Sequence, residues 1–251
     1  MSALEVVTVD SDVFLCRGRD VNWVILRDGS DLTLIDTGYP AYASVVEEPV
    51  RQIGGRPEDI RGIVVTHGHV DHIGGLAHFH ETYGTPVFAH PDEVPHIRRD
   101  HLEQATPGQV LRNVHRPGVL PWSLRITRAG AMRDVAFADV QPLTPGAPLD
   151  LPGRPVPVAT AGHTSGHTAY FVPAAGVVAT GDGLCTAHAT SSTVGPQLLA
   201  RMFQHGDDAA GLSPLEGLDA DVVLPGHGPV HRGPIGEAVR VARESAHSRK
   251  W

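Results

Sequence analysis

Cysteine is nearly absent. Cys16 and Cys185 are the only two in 251 residues, far apart and outside any C-x-x-C pair. That spacing excludes a disulfide framework and a thiolate metal site, and both are expected to be buried thiols. Lysine is scarcer still: with Lys250 the only one, every other fixed positive side chain is an arginine, whose planar fork suits two-point contact with an anion. A formal net charge of −8 argues against non-specific nucleic-acid binding, which depends on neutralising phosphates. No apolar run approaches the roughly 20 residues needed to span a bilayer. Residues 1–10 carry acids where a signal peptide carries a basic flank, so the expected location is cytoplasmic. Aromatic residues are few, at 5%, but a hydrophobic content of 41% against 19% charged is that of a chain able to bury a core. No break in composition divides it, and residues 1–251 read as one domain of undetermined oligomeric state.

Apolar runs at 6–9, 13–16, 22–26 and 32–35, punctuated by Asp, Gly and Ser, predict strands, with a hairpin turn at Asp28-Gly29-Ser30-Asp31. Residues 43–53 have a helical spacing that ends at Gly54-Gly55. The β-branched run Ile63-Val64-Val65 predicts a strand, residues 73–83 a helix, 86–89 a strand and 91–104 a helix. The stretch 105–147, rich in Pro, Gly and Arg, reads as loop apart from one strand at 135–140. Beyond it, strands are expected at 156–159, 169–172, 177–180 and 222–224, and a helix at 234–247 with Ile235, Val239, Ala242 and Ala246 on its apolar face.

Histidine is what the chain has in excess, with sixteen. His67, His69 and His72 lie with Asp71 inside six residues, where a buried strand gives way to a helix. Alternation along the extended part places His67 and His69 on one side, able to share an ion, while Asp71 and His72 begin the helix and are displaced toward a second. The spacing is not the His-Glu-x-x-His of helical zinc proteases. A helix cap would explain any one of these residues, but four ligand-type side chains crowded together would repel one another once protonated.

Thr66-His67-Gly68-His69-Val70-Asp71-His72 resembles the signature of the metallo-β-lactamase superfamily, the resemblance spans residues from about 4 to 248, and further motifs of that family stand in order along it. They are Asp36-Thr37-Gly38, Gly162-His163-Thr164-Ser165-Gly166-His167-Thr168, Thr180-Gly181-Asp182 and Pro225-Gly226-His227-Gly228. The resemblance implies an α/β fold, a four-layer αββα sandwich with a dinuclear metal site at the sheet edge. It further implies that His67, His69 and His163 hold one divalent ion, Asp71, His72 and His227 a second, and that Asp182 bridges them. Zinc suits these ligands, as do iron and manganese. Such a site leaves room for a water, so Asp71 and Asp182 are also the candidate catalytic carboxylates. Asp36 is either an acid that supports the ligands or a turn residue. His167 is expected to be structural and His188 to be a surface residue. His78, His80, His90, His96, His101, His115, His205, His231 and His247 carry no motif and read as surface or packing residues.

The chemistry this implies is metal-dependent hydrolysis of an acyl bond on a small-molecule or carrier-bound substrate. True β-lactamases generally lack the bridging carboxylate. Glutathione thioesterases of the glyoxalase type bind substrate through a long C-terminal extension, whereas 24 residues follow His227 in this sequence of 251. Homoserine lactonases place a tyrosine soon after the bridging Asp, and residues 183–195 contain none, leaving His188 or Thr186 for that part. Because a thiolate leaves without an acid, a thioester fits better than a lactone or β-lactam. A mononuclear iron dioxygenase of the same fold is a more distant alternative, and a nuclease a poorer one. Segment 98–133 carries Arg98, Arg99, Arg112, Arg116, Arg125, Arg128 and Arg133 against Asp100 and Glu103, formally +5 where the remainder is −13. It is either an ordinary solvated face or an Arg-lined lid over an acidic substrate.

Overall fold

The computed structural model describes residues 4–248. Lys250, the two ends of the 1–251 span and the side chains of Ala246 and His247 lie outside the described residues. Strands β1 (Glu5–Asp10), β2 (Val13–Arg17), β3 (Asn22–Asp28), β4 (Asp31–Ile35), β5 (Ile60–Val64), β6 (Val87–Ala89) and β7 (Val140–Pro142) form one sheet in chain order. Strands β8 (Val156–Ala159), β9 (Thr168–Val172), β10 (Val177–Gly181), β11 (Val222–Pro225) and β12 (His231–Arg232) form a second, in the order β12-β11-β10-β9-β8. The helices are α1 (Glu47–Gln52), α2 (Val70–Ile73), α3 (Leu76–Tyr83), α4 (Val94–Ile97), α5 (Pro107–Asn113), α6 (Val119–Arg128), α7 (Asp208–Gly211) and α8 (Ile235–Ser248).

Alternation along the strands makes the layers, because successive side chains leave opposite faces of a sheet. Phe14, Cys16, Trp23, Ile25, Leu32, Leu34 and Ile63 face outward onto Val50, Leu76, Phe79 and Ile97. Their neighbours Val13, Leu15, Val24, Leu26, Ile35 and Val64 face inward and meet Tyr170, Val172, Val177, Ala179, Val222 and Leu224 of the second sheet. On that sheet's far side Val178 and Val223 pack on Ile235, Ala238, Val239 and Ala242 of α8. The order is helix, sheet, sheet, helix, the expected αββα sandwich. Among the described residues no helix is long and apolar enough to cross a membrane.

Two parallel pairs, β4 with β5 and β10 with β11, end at the same edge of the sandwich. Their C-terminal loops hold Asp36, residues 65–72, Asp182 and His227. Three cross-links fix that edge: Thr168 N to Thr66 O at 2.9 Å, Tyr170 Oη to Val65 O at 2.8 Å, and Asn22 Nδ2 to Pro225 O at 2.9 Å.

Several elements differ from the sequence expectation. The 43–53 helix is confined to α1, and the 73–83 helix is broken into α2 and α3 at Gly74-Gly75. The break follows from close packing: a Cβ on Gly74 would lie 2.2 Å from Pro40 N, and Gly74 N donates to Gly38 O. The 91–104 helix stops after α4, because Arg99 turns left-handed at φ 66° and its guanidinium donates to Gly68 O and His96 O. The expected strand at 135–140 forms only from Val140. Most of segment 105–147 is loop, as expected, but it also contains the helices α5 and α6. Pro107 opens α5, and Thr106 with Gln109 makes a reciprocal capping box, a signal present in the sequence.

Leu26 is fully buried between the sheets. Leu26→Ala should cost roughly 2–5 kcal/mol through lost burial and the cavity left behind. Denaturant unfolding checks this, and a loss below about 1 kcal/mol would mean that this position does not join the layers.

Candidate metal centre

The strand ends bring all seven expected ligands together from separate parts of the chain. His67, His69, His163 and Asp182 form one group and Asp71, His72 and His227 another, with the donor atoms of each group within 4.8 Å of one another. Asp182 faces both. Its Oδ2 lies 3.0 Å from His227 Nε2 and 3.7 Å from His163 Nε2, and its Oδ1 lies 3.3 Å from His72 Nε2. Asp71 Oδ2 is 3.6 Å from His227 Nε2 and 3.9 Å from His72 Nε2.

Each histidine ring is oriented from behind by its outer nitrogen. His72 Nδ1 donates to Asp36 Oδ2 at 2.7 Å. His67 Nδ1 donates to Thr66 Oγ1 at 3.0 Å, and that hydroxyl donates to Asp36 Oδ2 at 2.7 Å. Asp36 therefore supports a ligand of each group, which decides its role in favour of ligand support. It does so at φ 65°, a left-handed conformation held by Thr66 N on its Oδ1. His69 Nε2 donates to Glu103 O at 2.6 Å, His163 Nδ1 to Gln204 Oε1 at 3.1 Å, and His227 Nδ1 to Asp20 O at 2.6 Å.

A neutral imidazole that donates through one nitrogen presents a lone pair at the other. His69 Nδ1 and His163 Nε2 thus face each other at 3.0 Å with no proton between them. The Nε2 atom of His67 is buried and has no hydrogen-bond partner, and that of His72 has only carboxylates beside it. Beside them a Cβ on Gly226 would lie 2.3 Å from Asp182 Oδ1, so only glycine fits. Facing lone pairs and buried carboxylates are what divalent cations neutralise, and the two donor groups are of a chemistry that fits such ions.

The electrostatics divide along the same line. Burial, reinforced by neighbouring histidines, holds His67 and His69 well below the usual histidine range, and burial brings His163 down to about 3. Burial opposes charge on His72 and His227 too, but the Asp182 carboxylate and its neighbours outweigh it and raise both. Asp182 is held well below the carboxylate range: burial would raise it, but His227 and His72 prevail.

Several supports were not singled out in the sequence. Buried Glu93 accepts from Gly68 N at 2.7 Å, Gly166 N at 3.1 Å and Thr164 Oγ1, tying the first histidine loop to the loop of His163. Asn22 Nδ2 also donates to Gly228 O at 2.8 Å, clamping the loop of His227. Asp20, whose carbonyl holds His227, is gripped by Arg125 of α6 at 2.6 Å. His167 has the structural part expected of it, for its Nε2 accepts from Asp182 N and Gly183 N at 3.2 and 3.1 Å. His96 is buried against Glu93. Both cysteines are free and buried.

His188 is not a surface residue. It lines a cavity of about 470 Å³ that opens on His69, Asp71, His163 and Asp182. Tyr39 lies in the same wall, brought in by the loop after β4 although no tyrosine follows Asp182. The rest is largely apolar, with Val110, Leu111, Val114, Leu120, Trp122, Ile126 and Met132 from the α5–α6 cover. Segment 98–133 thus roofs the site, but of its seven arginines Arg133 alone is in the lining. Arg98 and Arg99 are turned to the Ala138 and Gly68 carbonyls, Arg125 to Asp20, and Arg112 and Arg128 to solvent. An apolar helix face packs inward, so apart from Arg133 the arginines of the segment stay out of the cavity lining.

Two packed sheets flanked by helices, with a His/Asp metal cluster where parallel strands end, define a metal-dependent hydrolase. The chain belongs to the metallo-beta-lactamase superfamily, whose family model matches residues 16–227. The "Probable metallo-hydrolase YflN" of Bacillus subtilis is 26% identical over 221 residues, 78% of this chain and 74% of that protein. A hydroxyacylglutathione hydrolase of Anaeromyxobacter dehalogenans is 32% identical over 120 residues, 46% of this chain and 45% of that protein. The crystal structure of a metallo-beta-lactamase family protein from Thermus thermophilus is similar at a TM-score of 0.64 and 26% identity, covering 91% of this chain and 74% of that one.

Asp36→Ala should weaken metal binding by about 10–100-fold, since His67 and His72 lose their orientation; chelator competition measures it, and unchanged affinity would remove Asp36 from the site. Metal uptake should also release protons. His72 and His227, raised in the metal-free protein, carry protons that a cation must displace, so affinity falls as pH falls. Zinc titration in weak buffer with a pH indicator reads this directly, and uptake without proton release would contradict it.

Proposed function

We propose that the protein hydrolyses acyl thioesters with an apolar acyl chain, using two divalent ions held by the seven ligands. The observation that carries this reading is the apolar cavity that opens on the metal ligands. Bound there, the ions would supply a hydroxide nucleophile near neutral pH and polarise the acyl carbonyl. The chain's own part is positional. Val110, Val114, Trp122 and Ile126 exclude water and align the acyl chain, while Asp71 and Asp182 fix the cluster that meets its carbonyl. A thiolate departs without a proton donor, and the similarity to a hydroxyacylglutathione hydrolase supports a sulfur ester. An anionic handle on the substrate would meet Arg133, the arginine of segment 98–133 that lines the cavity.

Tyr39 favours a second reading, lactone hydrolysis. Burial, with the Asp71, Asp20 and Asp182 carboxylates, raises its pKa and keeps the phenol protonated, so it can serve an alkoxide leaving group as an acid.

Elemental analysis after loading should find two ions per chain, and one would refute the dinuclear reading. Across acetyl to octanoyl thioesters kcat/KM should rise about fourfold per methylene, equivalent to about 0.8 kcal/mol each, until the cavity is full. Equal turnover of acetyl and octanoyl thioesters would dissociate the cavity from the substrate. Tyr39→Phe separates the two readings. If lactone is the substrate class, wild-type kcat/KM is highest for lactones and this change lowers it by roughly 10²–10⁴. If thioester is, thioesters lead in the wild type and lose at least about tenfold less than lactones do.

A further inference from the structure

His188 sits between the metal ligands and the roof of the cavity. Its ring centroid is 4.9 Å from that of His227, 5.6 Å from Trp122 on α6 and 5.4 Å from Phe203, in edge-on arrangements. Thr190 N donates to His188 Nδ1 at 3.2 Å, with Thr190 Oγ1 at 2.7 Å from the same atom. A backbone N–H can only donate, so Nδ1 is the acceptor and the ring proton is on Nε2. None of the described residues is hydrogen-bonded to that nitrogen, and the ring lines the cavity beside Asp182.

We propose that His188 is a catalytic hydrogen-bond donor whose Nε2–H, fixed in that tautomer by Thr190, binds the substrate acyl oxygen and strengthens its hold as the carbon becomes tetrahedral. The inference rests on the reading of the site as an acyl hydrolase. No proton is transferred: the donor keeps its hydrogen while negative charge grows on the oxygen and, after collapse, leaves with the thiolate or alkoxide. The setting suits this role, because a donor fixed before the reaction in a largely apolar wall needs no reorganisation when the charge appears. Trp122 and Phe203 hold the ring from the roof side and Thr190 sets its tautomer, so the donor is preorganised by contacts remote from the substrate.

Three measurements decide it. Nitrogen-15 NMR of the metal-free protein should assign His188 to the Nε2–H tautomer; the Nδ1–H tautomer would overturn the proposal. In metal-loaded protein, His188→Phe keeps an aromatic ring for Trp122 and Phe203 but loses the donor. It should lower kcat/KM for octanoyl thioester by roughly 10²–10³ and weaken binding of n-octylphosphonate, a tetrahedral oxyanion, at least about tenfold. His188→Gln, which restores an N–H, should recover about tenfold or more of both. Wild-type values for both readouts in His188→Phe overturn the proposal, and so does a His188→Gln no better than His188→Phe with metal content intact. If His188→Phe does not fold, the tautomer decides: Nε2–H supports the proposal and Nδ1–H overturns it. Should the wild type prefer a β-lactam, the acyl-ester reading fails, while the phosphonate binding still tests His188.

Discussion

The outer nitrogen of each of the five cluster histidines is committed to an oxygen that belongs to the fold, and the chemistry of the site depends on that commitment. Once Asp36, Thr66, Glu103, Gln204 and Asp20 accept those protons, the inner nitrogens point at one another and at Asp182, where they hold a cation or, on His72 and His227, a proton. Buried acceptors in such number are tolerable only with cations or protons among them. The same arrangement therefore selects for metal and sets proton against metal. It also explains why glycine stands at 226, where any side chain would enter the space between Asp182 and His72.

These acceptors come from loops that only the completed sandwich brings together. Asp20 follows β2, Asp36 follows β4, Glu103 follows α4, and Gln204 belongs to the crossing between β10 and β11. A further buried carboxylate, Glu93, joins the first histidine loop to the second. The ligand geometry is thus a property of tertiary packing, and loss of one support leaves a ring free to turn even when the ligand itself remains.

The roof of the cavity shares those supports. Glu103, within the Arg-rich segment, holds His69 through its carbonyl and Ser165 through its carboxylate, while Arg125 on α6 holds Asp20 behind His227. Val119 and Trp122 of the segment share a small core with Cys185, Leu199 and Phe203 of the crossing between β10 and β11. The segment's positive charge is spent largely on carbonyls, Asp20 and solvent, so its formal charge says little about the apolar chamber beneath it.

Local patterns determined much by themselves. Alternation in β2, β3 and β4 marks residues that face two different cores, because a strand's period is two whatever surrounds it. The seven ligands were recognisable because their motifs stand at strand ends, where short spacings carry the geometry. Tertiary structure alone decided the remainder. Glu93, in Pro91-Asp92-Glu93, reads as an ordinary acid at a helix start, and Asn22 and Asp20 as strand-edge polar residues; each meets its partner across 25 to 207 positions. Tyr39 is invisible to a reading along the chain from Asp182, because the fold delivers its phenol from the loop after β4. His188 reads as exposed in the sequence because its burial comes from Trp122 and Phe203, on either side of it in the chain. Ligand identity is a local property of residue type and spacing. Ring orientation, the apolar chamber and the donors in its wall depend on long-range packing, which no local pattern encodes.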